Sequence, residues 1–321
     1  MRIEELLSKR QQSELVTAIK GRGEVPMKLQ YLGEGAKNWD KIAKARSGGI
    51  KGGINTLEEQ IFKEKGKYFI DRIKGKEVNL IDMGCGNGEP VIPIIQELQR
   101  QKIKFRYVPM DISSTMIDLA TRNLKSKFGD LKVHPIQMDF ELGNFPDKIY
   151  ELSEDGSTNL LMFLGSTLGN MADVSRVLTN VRDSMTSNDF FLIGMQFVNY
   201  SKISLIMSHY SQKEVGDFFD NILGGIGIGH NDKNWEPTWN EHKSQVEFRT
   251  KLLKDVKVHI GRENFDLDKG EVLSLGKSLK FTEANFISML QDAGFRTEIF
   301  TTNQDLSYAM IMVQPTRYAK T

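Results

Sequence analysis

VNLIDMGCGNG, residues 78–88, is the segment from which the architecture of this chain follows. An apolar run ends in Asp82 and then breaks into Gly84, Gly86 and Gly88. This pattern predicts a buried parallel strand that runs into a tight turn and then a helix. Glycines let the backbone turn sharply there and approach a ligand closely.

Two further apolar segments also end in an aspartate. Asp111 closes the strand-like run in YVPMDIS, and Asp139 closes the run in PIQMDFE. The carboxyl ends of parallel strands share one edge of a sheet, where such folds bind their ligands. With Asp82, this makes three strand ends in series. They predict a nucleoside-type cofactor lying across that edge.

Apolar runs and amphipathic segments alternate along most of the chain, which predicts an α/β fold with a doubly wound sheet. Strands are predicted near 78–83, 105–110, 133–138, 158–164, 189–197, 295–301 and 308–313. Helices are predicted near 3–20, 57–73, 88–101, 114–127, 172–185 and 282–293.

Residues 200–280 interrupt this alternation. They contain a helical stretch near 203–223, a polar aromatic patch with Trp235 and Trp239, and the strand-like runs QVEFRTKLL and VKVHI. The tryptophans either pack in a core or form part of a lid. We expect three parts: an N-terminal helical segment contributing to a substrate lobe, a cofactor-binding domain, and an inserted substrate-binding lobe. Their ranges are 1–70, then 71–199 with 281–321, and 200–280.

The composition sets aside several classes of protein. The 321 residues carry a net charge of +1, which gives no reason to expect a nucleic acid or an anionic membrane surface as partner. No run of about 18 apolar residues suggests a membrane span, and the N-terminus does not read as a secretory signal. The single cysteine, Cys85, excludes an internal disulfide framework and suggests a reducing, cytoplasmic compartment. The histidines show no metal-binding spacing, so no metal is expected.

The glycine spacing bears on which cofactor is bound. Dinucleotide enzymes use GxGxxG with a pyrophosphate at the helix N-terminus, whereas here the spacing is Gly84-x-Gly86-x-Gly88. S-adenosyl-L-methionine (SAM) has no phosphate, so its site needs close backbone approach and acids for its hydroxyl and amino groups. Asp82 could bind the methionine ammonium, directly or through water. An ordinary strand-to-helix turn is the alternative.

The two later aspartates suit the nucleoside. Asp111 could accept hydrogen bonds from both ribose hydroxyls, because a carboxylate is a bidentate acceptor. Alternatively, it caps the helix that follows. Asp139 could accept from the adenine amino group while the Phe140 amide faces a ring nitrogen, or it could be a solvated turn acid.

The segment FLGSTLGN, residues 163–170, follows the fourth strand of the predicted sheet. Ser166, Thr167 and Asn170 would surround the reacting end of the cofactor. The alternative is a glycine-rich helix start capped by Ser166. Cys85 is interpreted as a small residue under the cofactor.

With these motifs, the chain resembles the histidine Nα-methyltransferase family, the SAM-dependent enzymes of ergothioneine biosynthesis. The resemblance covers most of the chain and rests on LIDMGCGNG, YVPMDIS, MDFE, FLGSTLGN, LIGMQFV and GEVLSLGKSLKFTEANFISMLQDAGF. It implies a Rossmann-like, class I SAM-dependent methyltransferase fold and SAM as the cofactor.

The resemblance also implies site residues. Gly84, Gly86, Asp111, Asp139 and Phe140 match positions that bind SAM. Asn170 matches a position that holds the α-amino or carboxylate group of the substrate, and Tyr210 matches a tyrosine that contacts the substrate carboxylate. Tyr31 matches a tyrosine near the reacting nitrogen, and Ser278 matches a serine that helps read the imidazole.

Three positions depart from the histidine enzymes. Their tyrosine-rich segment corresponds to GGIKGGINTLEE, residues 48–59, which has no tyrosine. The glutamate that reads the imidazole falls at Gly276, and a pocket methionine falls at Phe248. Because a pocket without its acid leaves an imidazole N–H unmet, we do not expect histidine to be the substrate.

The sequence therefore predicts an N-methyltransferase that acts on the amino group of an amino acid or related small amine. Tyr31 and Asn170 are the predicted catalytic residues, and Tyr31, a nearby carboxylate or water could take the amine proton. Two rival hypotheses are a non-catalytic SAM-binding regulatory or partner protein and an NAD-dependent oxidoreductase.

Overall fold

The chain separates into two units in a computed structural model that describes residues 3–47, 54–73, 77–153 and 156–317. Unit 1 comprises Met1–Ile42 and Tyr200–Leu279, and unit 2 comprises Ala43–Asn199 and Lys280–Thr321. Unit 1 thus combines an N-terminal segment with residues 200–279. The N-terminal part of unit 1 ends at residue 42, and the helix over residues 54–72 packs on the sheet of unit 2.

The described residues form the following elements. The strands are β1 (Glu77–Met83), β2 (Lys104–Asp111), β3 (Ile136–Gln137), β4 (Ser157–Phe163), β5 (Phe190–Gln196), β6 (Lys233–Asn240), β7 (Gln245–Leu252), β8 (Val256–Ile260), β9 (Glu263–Leu267), β10 (Val272–Leu279), β11 (Phe295–Thr302) and β12 (Tyr308–Pro315). The helices are α1 (Ile3–Leu6), α2 (Lys9–Arg22), α3 (Glu34–Ser47), α4 (Ile54–Arg72), α5 (Ile92–Arg100), α6 (Ser114–Phe128), α7 (Pro146–Leu152), α8 (Val174–Ser184), α9 (Ile203–Tyr210), α10 (Lys213–Gly225) and α11 (Glu283–Asp292).

Unit 2 is built on a seven-stranded sheet with the order β11-β12-β5-β4-β1-β2-β3. The pairs β3-β2, β2-β1, β1-β4 and β4-β5 are parallel, and β12 runs antiparallel between β5 and β11. This topology confirms the predicted Rossmann-like α/β sheet. It brings the carboxyl ends of β1, β2 and β4 to one edge.

The core of unit 2 explains why its strands read as continuous apolar runs. Strands β1, β4, β5 and β12 are buried along nearly their whole length, as expected for a sheet covered on both faces. Helix α4 packs against α5 and β12. It is therefore part of the sheet unit, and it carries side chains toward the sheet.

Three predicted elements differ from the structure. The strand predicted near 133–138 is reduced to β3, because Pro135 has no amide hydrogen to donate to the ladder. The helix predicted over 3–20 is two helices, since Ser8 caps α2 in a reciprocal box with Gln11. The stretch near 203–223 likewise divides into α9 and α10.

Unit 1 has its own three-stranded antiparallel sheet, β10-β7-β6, and a hairpin of β8 and β9. The aromatic patch around Trp235 forms β6, which the sequence pattern did not identify as a strand. The Trp235 ring lies 4.8 Å from Phe219 and 5.7 Å from Phe248, centroid to centroid, so this tryptophan packs. Among the helices described in either unit, none combines the length and apolarity that crossing a membrane requires.

Candidate functional site

The glycine turn after β1 has the geometry that the sequence predicted. Gly84, Gly86 and Gly88 all have left-handed backbones, with φ angles of 65°, 52° and 76°. A side chain at Gly88 would begin 3.2 Å from Ala120 on α6, so only glycine lets the turn pack this closely. The Gly84 amide donates to the Met110 carbonyl at 2.7 Å, which ties the turn to the end of β2.

Asp82 and Asp111 end two neighbouring parallel strands, β1 and β2, and both are buried. The Tyr107 hydroxyl donates to Asp82 Oδ2 at 2.8 Å. The Ser113 amide donates to Asp111 Oδ1 at 2.9 Å. The helix cap itself is Ser113, which accepts from the Met116 amide, so Asp111 holds the turn before the helix rather than capping it.

The surroundings of these two carboxyls disfavour their negatively charged forms. Burial raises the pKa of Asp82 to about 7, the Tyr107 hydrogen bond opposes this rise, and the charge of Asp111 adds to it. Burial also raises the pKa of Asp111 to about 7, against the hydrogen bonds of three backbone amides. Burial is the main cause that holds the pKa of the Cys85 thiol well above its usual value, and the charges of the two aspartates add to it. A cationic ligand would relieve this clustering.

The segment after β3 and the loop after β4 both reach the glycine turn. A side chain at Gly84 would begin 2.7 Å from Thr167 Cγ2 and 3.9 Å from Phe140 Cζ. The Phe140 ring is buried, with its centroid 5.4 Å from that of Phe163 at the end of β4. Asp139 is half-buried and accepts from the Glu141 amide at 3.1 Å. The structure therefore places Thr167 and Phe140 beside the glycine turn.

Ser166 does not cap the short 3₁₀ turn, Thr167–Asn170, that follows it. Its own backbone is left-handed, with φ 62°, and its hydroxyl oxygen accepts from the Gln196 amide at 2.8 Å, while no cap bond forms within this described loop. The Ser166 amide donates to Gly194 on β5 at 3.2 Å. Ser166 thus fixes the loop to the end of β5, and Asn170 lies half-buried at the end of the turn.

Three of the predicted substrate residues come together in unit 1. Hydrogen bonding joins the Tyr210 hydroxyl and the Ser278 Oγ at 2.9 Å. The Tyr210 ring packs on Phe248, with centroids 5.3 Å apart. Helix α9 and strands β10 and β7 therefore place two hydroxyls against one aromatic ring.

Tyr31, also in unit 1, lies in a connected aromatic cluster. Its ring centroid is 5.0 Å from Phe218 on α10 and 5.5 Å from Trp39 on α3. Phe218 contacts Phe219, which in turn lies 5.2 Å from Phe248. The cluster links Tyr31 to the Tyr210 group through two phenylalanines rather than by direct contact among these rings.

Gly276 is the position where the histidine enzymes place a glutamate, and here its side-chain space is filled. It lies opposite Phe248 in the β10-β7 ladder and has a φ of 135°. A Cβ on Gly276 would begin 2.7 Å from Met27 Sδ and 2.8 Å from Met27 Cβ. Met27 therefore occupies the volume that an acidic side chain would need.

One buried acid of unit 2 was not predicted from the sequence. Glu58 on α4 is buried, and its Oε1 accepts from the Gly165 amide in the loop after β4. The signal was its position three and four residues before the buried Ile61 and Phe62, which puts an acid on the apolar face of a helix. In the sequence, the only feature noted for residues 48–59 is the lack of tyrosine. Residues 48–53 lie outside the described part of the chain.

The described histidines, cysteine and acids include one group of three that could hold a metal ion: Asp217, Asp220 and His230. Asp220 already pairs with His230 Nδ1 and with the Lys233 ammonium, each at 2.7 Å. Asp217 pairs with Lys213. The group is thus an internally neutralised surface cluster of unit 1.

Comparison with known proteins identifies the group to which the sequence is similar. The sequence model of a family described as "Histidine-specific methyltransferase, SAM-dependent" matches residues 6–315. The chain is 22% identical to a histidine N-alpha-methyltransferase of Mycolicibacterium smegmatis over 230 residues, which cover 68% of this chain and 69% of that protein. It is 23% identical to an N-methyltransferase of Aspergillus flavus, imqF, over 80% of this chain and 73% of that protein.

Solved structures with a similar chain course include other methyltransferases. One is a SAM-dependent methyltransferase from Clostridium acetobutylicum, with a TM-score of 0.47 and 12% identity, covering 87% of this chain and 99% of that one. Another is the magnesium protoporphyrin IX methyltransferase of Synechocystis with bound S-adenosylhomocysteine, with a TM-score of 0.47 and 11% identity, covering 90% and 98%.

Proposed function

Because the chain belongs to the family of SAM-dependent, histidine-specific methyltransferases, we propose that it methylates the amino nitrogen of an amino acid or related small amine other than histidine. Its fold is the class I, Rossmann-like methyltransferase sheet, and its cofactor is SAM. The observation that carries the proposal is the buried pair Asp82 and Asp111 at the ends of β1 and β2, beside the glycine turn.

The residues of unit 2 fit SAM in their chemistry. A glycine turn without room for side chains allows close approach of the ligand to the backbone. Asp111 would accept from the ribose hydroxyls, and Asp139 with the Phe140 amide would bind the adenine edge. Gly84, Cys85, Gly86 and Ser166 would line the remaining wall. A clustered set of acids with raised pKa values suits a cofactor that carries an ammonium and a sulfonium.

By resemblance to the family, we assign acceptor binding to Tyr31, Asn170, Tyr210, Phe248 and Ser278. The hydroxyls of Tyr210 and Ser278 offer donors to a substrate carboxylate, and Phe248 offers an apolar wall. Histidine is disfavoured because Met27 fills the volume of the acid that would pair its imidazole. One similar protein is named a histidine N-alpha-methyltransferase, and another is named an N-methyltransferase without a stated substrate. These names support an amino nitrogen as the acceptor.

Catalysis by this chain would consist mainly of orientation. When bound, SAM supplies a sulfonium methyl group, and the amine nitrogen forms the new bond to carbon as the carbon–sulfur bond breaks. The amine must be neutral to attack, so Tyr31, a nearby carboxylate or water would take its proton. Asn170 would hold the amine in line.

We infer a cytoplasmic enzyme with a small-molecule partner and with neither a nucleic acid nor a membrane as partner. Its one cysteine is buried and free, as is usual in a reducing compartment. A net charge of +1 provides no basic surface excess for an anionic polymer.

The test is a turnover assay with SAM and a panel of amino acids, small amines and peptides, with product masses recorded. We expect S-adenosylhomocysteine and a methylated amine with at least one non-histidine acceptor. Cofactor binding without turnover on any acceptor would indicate the non-catalytic SAM-binding alternative. Binding of NAD in place of SAM would contradict the proposal altogether.

A further inference from the structure

Glu58 is a buried carboxyl that none of the assigned roles uses. It projects from α4 and is 3% exposed. Its Oε1 accepts two hydrogen bonds, from the Gly165 amide at 2.8 Å and from the Tyr308 hydroxyl at 2.5 Å. Its second oxygen, Oε2, is buried and has no hydrogen-bond partner among the described residues. A buried acceptor left unpaired is costly, so this atom calls for a ligand.

The residues around Glu58 leave space for its carboxyl group and hold it by hydrogen bonds. A side chain at Gly194 on β5 would begin 1.7 Å from Glu58 Oε1, so glycine there makes the space that the carboxyl fills. Gly165 and Gly194 both belong to the carboxyl edge of the sheet, at the ends of β4 and β5. Tyr308 reaches the same oxygen from β12. Three strands thus position one carboxyl group.

The loop after β4 connects this carboxyl to the glycine turn. Gly165 is two residues before Thr167, whose methyl carbon lies 2.7 Å from the place where a Cβ on Gly84 would begin. The charge of Asp82, at the end of β1, contributes to raising the pKa of Glu58 to about 7, although burial is the larger cause. Glu58 and Asp82, from different elements, are therefore within electrostatic range of each other, and neither has a cationic partner among the described residues.

We propose that Glu58 and Asp82 form a two-carboxylate subsite for the α-ammonium group of the methionine part of the cofactor, with Glu58 Oε2 as a direct acceptor. This inference rests on the proposed function, since it places a group of SAM in the same site. An ammonium carries three N–H donors and needs acceptors, whereas a sulfonium has no hydrogen to donate. The unpaired oxygen therefore fits the ammonium.

The experiment compares two ligands that differ in the amino-acid part. S-adenosylhomocysteine has the ammonium, and 5′-deoxy-5′-methylthioadenosine lacks it but keeps the nucleoside. We expect Glu58→Gln to weaken S-adenosylhomocysteine by about 10- to 100-fold in calorimetry at pH 8, and methylthioadenosine by less than about twofold, because only the first loses a charge-assisted hydrogen bond.

Two controls bracket this result. Glu59→Gln changes the next residue of α4, which is exposed and paired with Lys63, and should leave both ligands unaffected. Asp111→Asn should weaken both ligands, since both contain the ribose. Glutamine keeps an oxygen for the Gly165 amide, so Glu58→Gln should fold, and its melting temperature in the absence of ligand verifies this.

A second measurement uses the unaltered protein. Binding an ammonium to carboxyls with raised pKa values must release protons, so calorimetry at pH 6.5 in buffers of different ionisation enthalpy should show more proton release with S-adenosylhomocysteine than with methylthioadenosine. Equal release, or equal weakening of the two ligands by Glu58→Gln, would overturn the subsite while leaving SAM binding intact. Failure of the unaltered protein to bind S-adenosylhomocysteine would instead reject the proposed function, and the subsite with it.

Discussion

Met27 fills the space that a side chain on Gly276 would occupy, with its Sδ 2.7 Å from the Cβ position. Gly276 also has a φ of 135°, which strains any residue with a side chain. Both features belong to the position that reads the imidazole in enzymes similar to this one. The side-chain space at Gly276, where the resemblance places an acid, is therefore filled by Met27.

The first prediction concerns this packing. Gly276→Ala should lower the free energy of unfolding by about 2 kcal/mol or more, through backbone strain and overpacking. Gly270→Ala is the matched control, because Gly270 has a φ of 93° but open space around its Cβ position. Urea denaturation should show a larger loss of unfolding free energy for Gly276→Ala than for Gly270→Ala. Adding Met27→Ala to the Gly276→Ala variant should recover part of that loss. Equal losses at the two glycines would show that Met27 does not constrain the site.

A related prediction concerns specificity. Gly276→Glu should not confer histidine methylation, because the added acid meets Met27 instead of an open pocket. The double variant Met27→Ala/Gly276→Glu provides the space and serves as the comparison. Turnover with histidine should stay at background in the single variant, provided that its melting temperature shows a folded protein. Efficient histidine methylation by the single variant would contradict our interpretation of Gly276.

The sheet could be predicted from the sequence because its strands are buried on both faces and so read as unbroken apolar runs. The acids Asp82 and Asp111 could be located because each lies at the end of such a run. Strand β3 was overestimated, since Pro135 breaks a pattern that otherwise looks apolar. Strands β9 and β10 were missed for the opposite reason, because their partly exposed residues lack a long apolar run.

The substrate side was harder to predict, because its contacts depend on tertiary packing. Nothing in the sequence near Gly276 indicates that Met27, about 250 positions earlier, lies against it. Glu58 shows a similar limit. Its burial and its hydrogen bond to the Gly165 amide follow from how α4 packs on the sheet. The family motif in this segment is a tyrosine-rich one, so its absence gave no indication of Glu58.

Asp111 should be essential for cofactor affinity. Asp111→Asn should weaken S-adenosylhomocysteine by about 10- to 100-fold, since a hydrogen bond to a charged group contributes about 1.5–3 kcal/mol. Asp118→Asn, at an exposed position of α6, is the control for a general effect of removing charge. Calorimetry measures both variants. Unchanged affinity in Asp111→Asn would remove the nucleoside assignment for the end of β2.

Tyr210 and Ser278 should act on the acceptor rather than on the cofactor. Removing one hydroxyl, in Tyr210→Phe or Ser278→Ala, should raise KM for the acceptor by about fivefold, as expected for a neutral hydrogen bond of about 1 kcal/mol. The double variant should show less than the sum of both effects, because the two hydroxyls bond each other. Tyr200→Phe, at an exposed tyrosine, is the control. A loss of S-adenosylhomocysteine binding in either variant would place these hydroxyls elsewhere.

The clustered acids of unit 2 predict an unusual dependence of stability on pH. Burial raises the pKa values of Glu58, Asp82 and Asp111 to about 7, with Cys85, Tyr107 and Tyr308 as neighbouring groups that remain protonated below that pH. Unfolded carboxyls have a pKa of about 4, so between about pH 4 and 7 the folded chain binds more protons than the unfolded chain. Stability conferred by these groups should therefore fall as pH rises through this window.

The measurement is the melting temperature between pH 5 and 8 at constant ionic strength, with and without S-adenosylhomocysteine. Without ligand, the melting temperature should be lower at pH 8 than at pH 5. With ligand the difference should shrink, because the ammonium pairs with carboxylates that are ionised at pH 8. Glu58→Gln removes one of the titrating groups, so its ligand-free profile should be flatter. A melting temperature that rises from pH 5 to 8 without ligand would show that these carboxyls are already ionised in the folded chain.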